Sequence, residues 1–453
     1  MLTRHMVHFA RKSTILLFCL LFISSCSFRG SDNQRYTKLG RTVEVVKEGD
    51  KYTLYRNGEP YFIKGAAGYE HFDKVAAYGG NSIRVWHTDD DTQRILDEAH
   101  QQGLTVMLGL WMEREREGFN YYDKDDVAAQ RERLRAEVLK YKDHPALLMW
   151  VVGNELYAEG SNVKVWDAVN GVAEMIHELD PNHPTTTTVM NVPKQVVNLI
   201  KRRCPAIDIL SINSFGALHN LSTELRDTNW DGPYVIAEFG GQGYWETRTT
   251  WWYAPLEQTS TEKAAFARER YEKTVLNDPD RCLGAYAFIW GYKYETTPTW
   301  FSIMTETGEE TEMAQVMREI WSGKRDFNRA PHIAYLSLKD IFPSDQVYLQ
   351  PGELSKAAVF ATDPDGDSLQ VKWELLPETV SEDGNAIKEQ KPDAIPGVIQ
   401  EAAGNRVTLK APQRDGAYRL YAYVYDGNGN VATANFPFYV KAGNTFSSAL
   451  DFY

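Results

Sequence analysis

Positive charge is scarce in this chain of 453 residues: 49 Lys and Arg face 62 Asp and Glu, for a formal net charge of −13. That balance excludes nucleic acid and an anionic membrane surface as partners, because both select proteins with a surplus of clustered Lys and Arg. It suits a neutral ligand that needs no electrostatic steering. Cysteine is scarce too, with four in all. None has the spacing of a zinc site, so no metal is expected. Gly65-Ala66-Ala67-Gly68 is not a phosphate-cradling loop, and nothing else calls for a nucleotide or any other cofactor. There is no internal repeat and no low-complexity tract. The one apolar run near the N-terminus, Thr14 to Ile23, is too short to span a bilayer as a stable helix. Aromatic residues, by contrast, are plentiful at 12%, with 12 Trp and 25 Tyr. Core packing accounts for roughly two thirds of such rings, and the remainder are suited to stacking on flat sugar faces.

The N-terminus reads as a targeting segment rather than part of the fold. Arg4, Arg11 and Lys12 precede the apolar run, with no acidic residue before Cys26. The run ends Ile23-Ser24-Ser25-Cys26, which resembles the bacterial lipobox. That resemblance implies removal of residues 1–25, lipidation of Cys26, a tether over 26–39, and attachment to the cell envelope through the lipid (outer membrane, facing the periplasm or the surface). The residues that follow, Ser27 to Asp32, lack the acidic run seen in surface-exported lipoproteins. Cys19 leaves with the leader. Cys204 and Cys282 remain in a compartment that permits disulfides. Each stands just before a predicted strand, and the two strands are not neighbours, so two free buried thiols are expected.

At 43% apolar and 25% charged the chain is an ordinary globular protein, long enough for two domains. Lys51 to Lys64 has the pattern of a hairpin turning on Asn57-Gly58. Eight short apolar runs follow, at 62–66, 82–86, 105–110, 147–152, 185–189, 209–213, 234–237 and 285–289. Helical patterns lie between them, such as 92–102, 126–142, 163–179 and 261–276. Strands alternating with helices imply parallel pairing through right-handed crossovers, and eight such units over about 260 residues match a (β/α)₈ barrel. An open doubly wound sheet is the alternative, disfavoured by the missing Gly-rich loop. The barrel domain is placed at 40–323, closing with a helix near 312–321, and a polar linker at 324–331. Residues 332–445 then show short alternating runs separated by turn clusters, the rhythm of an all-β immunoglobulin-like sandwich. The stretch Asp363–Trp373 resembles cadherin-like and polycystic-kidney-disease-type repeats. Its aspartates are read as a tight solvated turn in preference to a calcium site.

Two runs stop on a glutamate. One is Met149-Trp150-Val151-Val152-Gly153-Asn154-Glu155, and the other is Tyr234-Val235-Ile236-Ala237-Glu238. A carboxylate at the end of a buried strand is costly unless it is paired or used. In a barrel all strand C-termini open on one face, so Glu155 and Glu238 can meet there. Two such carboxyl groups, one ionised and one protonated, are the acid and nucleophile of a retaining glycosidase.

These positions, after strands four and seven, resemble clan A glycoside hydrolases. The resemblance implies that Glu155 is the acid/base and Glu238 the nucleophile. It further implies that Asn154 meets the sugar 2-hydroxyl, Arg84 supports Glu238, and Trp290 is the platform beneath the cleaved sugar. Trp86, His87, Trp111 and Asn213 are placed to line the cleft, and Trp245 belongs to a ring-rich loop after strand seven. The clan's tyrosine near the end of strand six is missing, since Ser211-Ile212-Asn213-Ser214-Phe215 offers only a phenylalanine. Another loop tyrosine, or Asn213, is the expected substitute. The hairpin and barrel resemble family 2 enzymes without their N-terminal sandwiches. The whole architecture is similar to family 158 endo-β-1,3-glucanases. The expected substrate is therefore a neutral β-glucan of the laminarin type, cut by a monomer. A β-glucan transglycosylase, an exo-acting β-glycosidase and a non-catalytic glycan-binding lipoprotein stand as alternatives.

Overall fold

The computed structural model describes residues 38–157, 162–379 and 390–443; Cys26 and the leader lie outside them. No helix among the described residues is long and apolar enough to cross a membrane.

The chain opens with a three-stranded sheet, β1 (Val43–Glu48), β2 (Lys51–Arg56) and β3 (Glu59–Pro60). Asn57 and Gly58 turn it with φ of 51° and 84°, the left-handed pair that a two-residue hairpin requires. The second arm is shorter than the sequence pattern suggests. It ends at Pro60, because Ile63 already opens the barrel. The partner that completes the sheet is β1, antiparallel to β2 from Val43 opposite Arg56 to Glu48 opposite Lys51. This sheet plugs the bottom of the barrel. Val43 N donates to Asn182 O (3.0 Å) and Tyr52 N to Asp280 O (2.7 Å), both in turns that lead into barrel strands. Val45 and Leu54 pack beneath Met149, Ile209 and Val235.

The barrel strands are β4 (Ile63–Ala67), β5 (Ser82–Val85), β6 (Thr105–Leu110), β7 (Leu147–Asn154), β8 (Thr185–Met190), β9 (Ile209–Asn213), β10 (Tyr234–Phe239) and β11 (Cys282–Phe288). They pair in parallel and close on themselves, β11 against β4. Both faces of each strand are covered, which is why the runs are almost continuously apolar rather than alternating. Helices cover the outside. In Lys124–Tyr141, Leu134, Val138 and Tyr141 face inward, and Asp123 caps the first turn by accepting from the backbone N of Asp125 (2.9 Å) and Asp126 (3.2 Å). The helix expected over 261–276 is in fact α-helical over Ser260–Arg270 and continues as a π-helical turn, Tyr271–Val275. Cys204 and Cys282 are buried and free.

Eight further strands form two facing four-stranded sheets. One holds His332–Leu338, Leu354–Thr362, Arg406–Lys410 and Ile399–Ala403; the other holds Tyr348–Leu349, Val431–Val440, Gly416–Tyr425 and Gln370–Pro377. They enclose a separate apolar core containing Leu336, Val359, Leu409, Leu420 and Phe436. The fold is thus a (β/α)₈ barrel followed by a β-sandwich. In the turn at 363–367, Asp363 Oδ1 accepts from the backbone N of Asp365 (2.8 Å) and Asp367 (3.0 Å), the self-capping of a tight turn. Asp363, Asp367 and Asp426 bring carboxylate oxygens within 4.8 Å of one another.

The sandwich is joined to the barrel by a buried polar cluster. Arg419, 1% exposed, makes a bidentate pair with Glu378 (2.6 and 3.0 Å) and donates to Pro255 O (2.8 Å) and Asn435 Oδ1 (2.8 Å). Asn435 in turn donates to Glu257 Oε2 (2.6 Å), and Lys263 pairs with Glu257 Oε1. Burial would raise the pKa of Glu257, but Lys263 and Arg419 beside it hold the carboxyl below its ordinary range. Trp252 adds an apolar contact, its ring 5.4 Å from Tyr348 and 5.7 Å from Tyr439. Pro255, Glu257 and Trp252 all belong to the long loop after β10, so the second domain braces the loop that follows the strand carrying Glu238.

Candidate active site

Glu238 lies on β10, 7% exposed, with its side chain in the open upper end of the barrel. Arg84 of β5 is buried beneath it. Arg84 Nη1 donates to Glu238 Oε1 (2.5 Å) and to Ala237 O (3.0 Å), while Nη2 donates to Asn154 Oδ1 (2.7 Å). A guanidinium in the barrel interior is expensive unless its fork is filled, and here it is aimed at the glutamate and its neighbours. The indole N–H of Trp86, just past the end of β5, donates to the same Oε1 at 2.8 Å. Neither contact uses Oε2, which leaves one oxygen of the carboxylate uncommitted to them. Gly109 on the adjacent strand makes the approach of Trp86 possible: a Cβ there would sit 2.1 Å from Trp86 O.

Glu155 follows β7 and turns sharply out of it. Gly153 has φ of 72° and Glu155 itself 52°, the left-handed region, which a side chain occupies only when its surroundings impose it. Leu156 leaves no room for a Cβ at 153, since its Cδ1 would lie 2.5 Å away. Glu155 N donates to Thr188 O (3.0 Å) on β8, and Glu155 Oε1 accepts from Asn213 Nδ2 (2.6 Å). Asn213 also accepts from Arg84 Nη1 at Oδ1 (3.3 Å), so a hydrogen-bonded path runs Glu238–Arg84–Asn213–Glu155 across the barrel mouth. The two carboxyl groups are held differently. Glu238 has a guanidinium and an indole N–H, and Glu155 has a neutral amide. Burial, then the charge of Glu238, pushes the pKa of Glu155 up, opposed by the Asn213 hydrogen bond and the more distant charges of Arg114 and Arg84.

The expected substitutes for the missing strand-six tyrosine are another loop tyrosine or Asn213; among the described hydrogen bonds the indole of Trp86 reaches Glu238, and Asn213 serves Glu155. Asn154 is turned inward and accepts from Arg84. His87 lies at the rim, with Nε2 3.3 Å from Asp89 and Nδ1 3.3 Å from the Tyr69 hydroxyl. Trp111 is half-buried beneath the guanidinium of Arg114, 4.5 Å from the ring centre. Trp245 is 45% exposed and stands edge-on to Phe215 (5.5 Å) and Tyr244 (4.8 Å).

Trp290, expected as the platform beneath the cleaved sugar, does not line the cleft. It is 1% exposed, its ring 5.5 Å from Trp321, and its indole N–H donates to His71 O (3.2 Å). It points out of the barrel into the helix layer and cannot support a sugar. The ring that faces the mouth from β11 is Phe288, two residues earlier, 5.7 Å from Trp86, 5.9 Å from Phe215 and 5.3 Å from Phe301. Rings thus run without a break from Trp86 at Glu238 to the exposed Trp245.

Arg114 was not foreseen. It sits in Glu113-Arg114-Glu115-Arg116-Glu117, an alternation of charge that reads as a solvated loop, yet it is only 7% exposed and reaches Asn154 O (3.5 Å) with Nη2. Only the strand end four positions earlier, at Leu110, hinted that this arginine turns inward.

Residues 77–260 match the family model described as glycosyl hydrolases family 2, TIM barrel domain, a stretch that holds Arg84, Glu155 and Glu238. A curated β-glucuronidase of Paenibacillus borealis is 24% identical over 245 residues, 44% of this chain and 38% of that protein. Among solved structures, a β-glucuronidase from Ruminococcus gnavus in complex with D-glucaro 1,5-lactone aligns over 62% of this chain and 53% of its own, at 15% identity and TM-score 0.48. A Bacteroides uniformis β-glucuronidase aligns over 88% and 48%, at 14% identity and TM-score 0.48. The chain therefore spans well under two thirds of the length of each of these three proteins. The family match, falling on a closed eight-stranded barrel, supports a barrel of the family 2 glycosyl hydrolase type.

Proposed function

We propose that this protein is a retaining β-glycosidase that cleaves a polysaccharide by double displacement. The observation that carries the reading is the unequal support of two carboxyl groups joined through Arg84 and Asn213. Glu238, held by Arg84 and Trp86 through Oε1, attacks the anomeric carbon with Oε2. Glu155, kept protonated by burial and by the charge of Glu238, gives its proton to the departing glycosidic oxygen. It then takes a proton from the water that cleaves the glycosyl ester, restoring both groups. No cofactor enters these steps.

The finer reading is an endo-acting enzyme on a neutral β-1,3-glucan. The ring wall from Trp86 through Phe288 and Phe215 to Trp245 supports a cleft that grips several sugars of a chain. The similarity to the Paenibacillus borealis β-glucuronidase makes a β-glucuronide the second substrate to try. Incubation with laminarin, other β-glucans and aryl β-glycosides, followed by product separation, decides between them. Oligosaccharide ladders support endo hydrolysis, single sugars exo action and longer chains glycosyl transfer. No turnover of any substrate leaves a glycan-binding protein. We also propose that Cys26 carries a lipid anchor to the envelope. The protein should then take up a labelled fatty acid in its native host, and Cys26→Ser should not.

A further inference from the structure

Among the described residues, Arg84 and Arg114 at the barrel mouth each bury an Nε without a hydrogen-bond partner, but only Arg84 has both Nη groups committed to close acceptors. Nη2 of Arg114 makes a long contact to Asn154 O (3.5 Å), and the nearest carboxylate, Glu117, is 3.7 Å from its Nη1. One face of the guanidinium lies on Trp111. A buried cation held this loosely is unfavourable for the fold alone, so its charge is expected to serve something that changes during the reaction.

On the double-displacement reading above, the negative charge of the site moves. In the free enzyme it sits on Glu238 and Glu155 is neutral. When the C1–O bond breaks and the C1–Oε2 ester forms, the Glu155 proton leaves with the glycosidic oxygen. Glu238 is then a neutral ester and Glu155 a carboxylate. The return half takes a proton from water onto Glu155 while the water oxygen bonds to C1 and the ester opens. Arg84 is committed to the Glu238 side by two short contacts. Asn213 offers Glu155 a hydrogen bond but no charge.

We propose that Arg114 is the positioning residue of the second half-reaction: it supplies the counter-charge for ionised Glu155 and steadies the Asn154–Glu155 peptide through the Asn154 carbonyl. The charged and titratable groups that bear on Glu155 are Glu238 from β10, Arg84 from β5, Arg114 from the loop after β6, and the Tyr157 hydroxyl from its own loop. Around Arg114 stand Arg116 and Glu117. Burial, then Arg116, pulls the pKa of Arg114 down, while Glu117, Glu155 and Glu238 hold it up.

The test compares the full chain with Arg114→Met and Arg114→Lys, using an aryl β-glycoside that the wild type cleaves and the matching 2-deoxy-2-fluoro glycoside, which traps the ester. Removing the cation should raise the pKa of Glu155. The alkaline limb of kcat/KM should then move up by about one pH unit in Arg114→Met, and release of the trapped sugar near neutral pH should slow about tenfold. Arg114→Lys, which keeps the charge, should restore both. Thermal unfolding checks that each variant is folded, and if the methionine variant is not, the lysine variant's pH limb alone decides: it must match the wild type. A raised KM with both readouts unmoved would make Arg114 a substrate contact and overturn the proposal. A wild type that neither cleaves nor is trapped by any glycoside overturns the glycosidase reading itself.

Discussion

Trp86 and Glu238 are joined by one hydrogen bond, the indole N–H to Oε1 at 2.8 Å, on the same oxygen that Arg84 holds. Two donors on one oxygen fix the rotation of the carboxylate, and on the proposed mechanism the other oxygen makes the attack. A hydrogen bond to a charged group is worth about 1.5–3 kcal/mol. Trp86→Phe keeps the ring and deletes the donor, so kcat should fall roughly tenfold to a hundredfold with the fold intact. Steady-state kinetics alongside a thermal melt would show it.

Glu155 should reveal itself by its dependence on the leaving group. Glu155→Ala is expected to lose about 10²–10⁴-fold on an unactivated glycoside. On dinitrophenyl glycosides the first step needs no proton, so that step should be nearly unaffected. Azide, small enough to occupy the space left by the side chain, should accelerate the second step and yield a β-glycosyl azide identifiable by NMR. Equal losses on both substrates would remove Glu155 from the acid/base role.

The same residue has a signature in stability. Its folded-state pKa lies above its unfolded value, so the folded state binds the proton more tightly. Stability from this group is therefore full below the unfolded pKa, near 4.3, and is lost as pH rises through the window up to the folded value. Glu155→Gln removes that penalty. The variant should melt at a higher temperature than the wild type at pH 8, with the gap closing near pH 4. A variant less stable than the wild type at both pH values contradicts this.

The domain junction gives a fourth expectation. Removing Arg419 leaves Glu378 unpaired and Glu257 short of a neighbouring charge in a buried cluster. Breaking such a pair costs about 3–5 kcal/mol. Arg419→Ala should lower the unfolding midpoint in urea accordingly. It should also raise KM for polysaccharide more than for an aryl glycoside, because the loop after β10 loses its brace. An unchanged midpoint would mean the two domains are energetically independent.

The barrel was legible because buried parallel strands are continuous apolar runs and the helices between them are amphipathic, two signals local to the chain. Glu155 and Glu238 were legible for the same reason, as acids at the ends of such runs. What sequence could not show was direction around the strand end. Trp290 follows β11 by two residues and points outward, where Trp321 and Tyr78 receive it, while Phe288 points inward. Non-local pairing was hidden as well. Trp86 reaches Glu238 across 152 residues, and nothing near either residue announces it. Arg114 was masked by its alternating acidic neighbours, and β1 by the stronger hairpin signal beside it.

On the proposed mechanism Glu238 carries the sugar. An activated 2-deoxy-2-fluoro β-glycoside of a sugar the enzyme accepts should inactivate it with one glycosyl group per chain, and tandem mass spectrometry of the digested protein should place that group on Glu238. A label on any other residue would contradict the account.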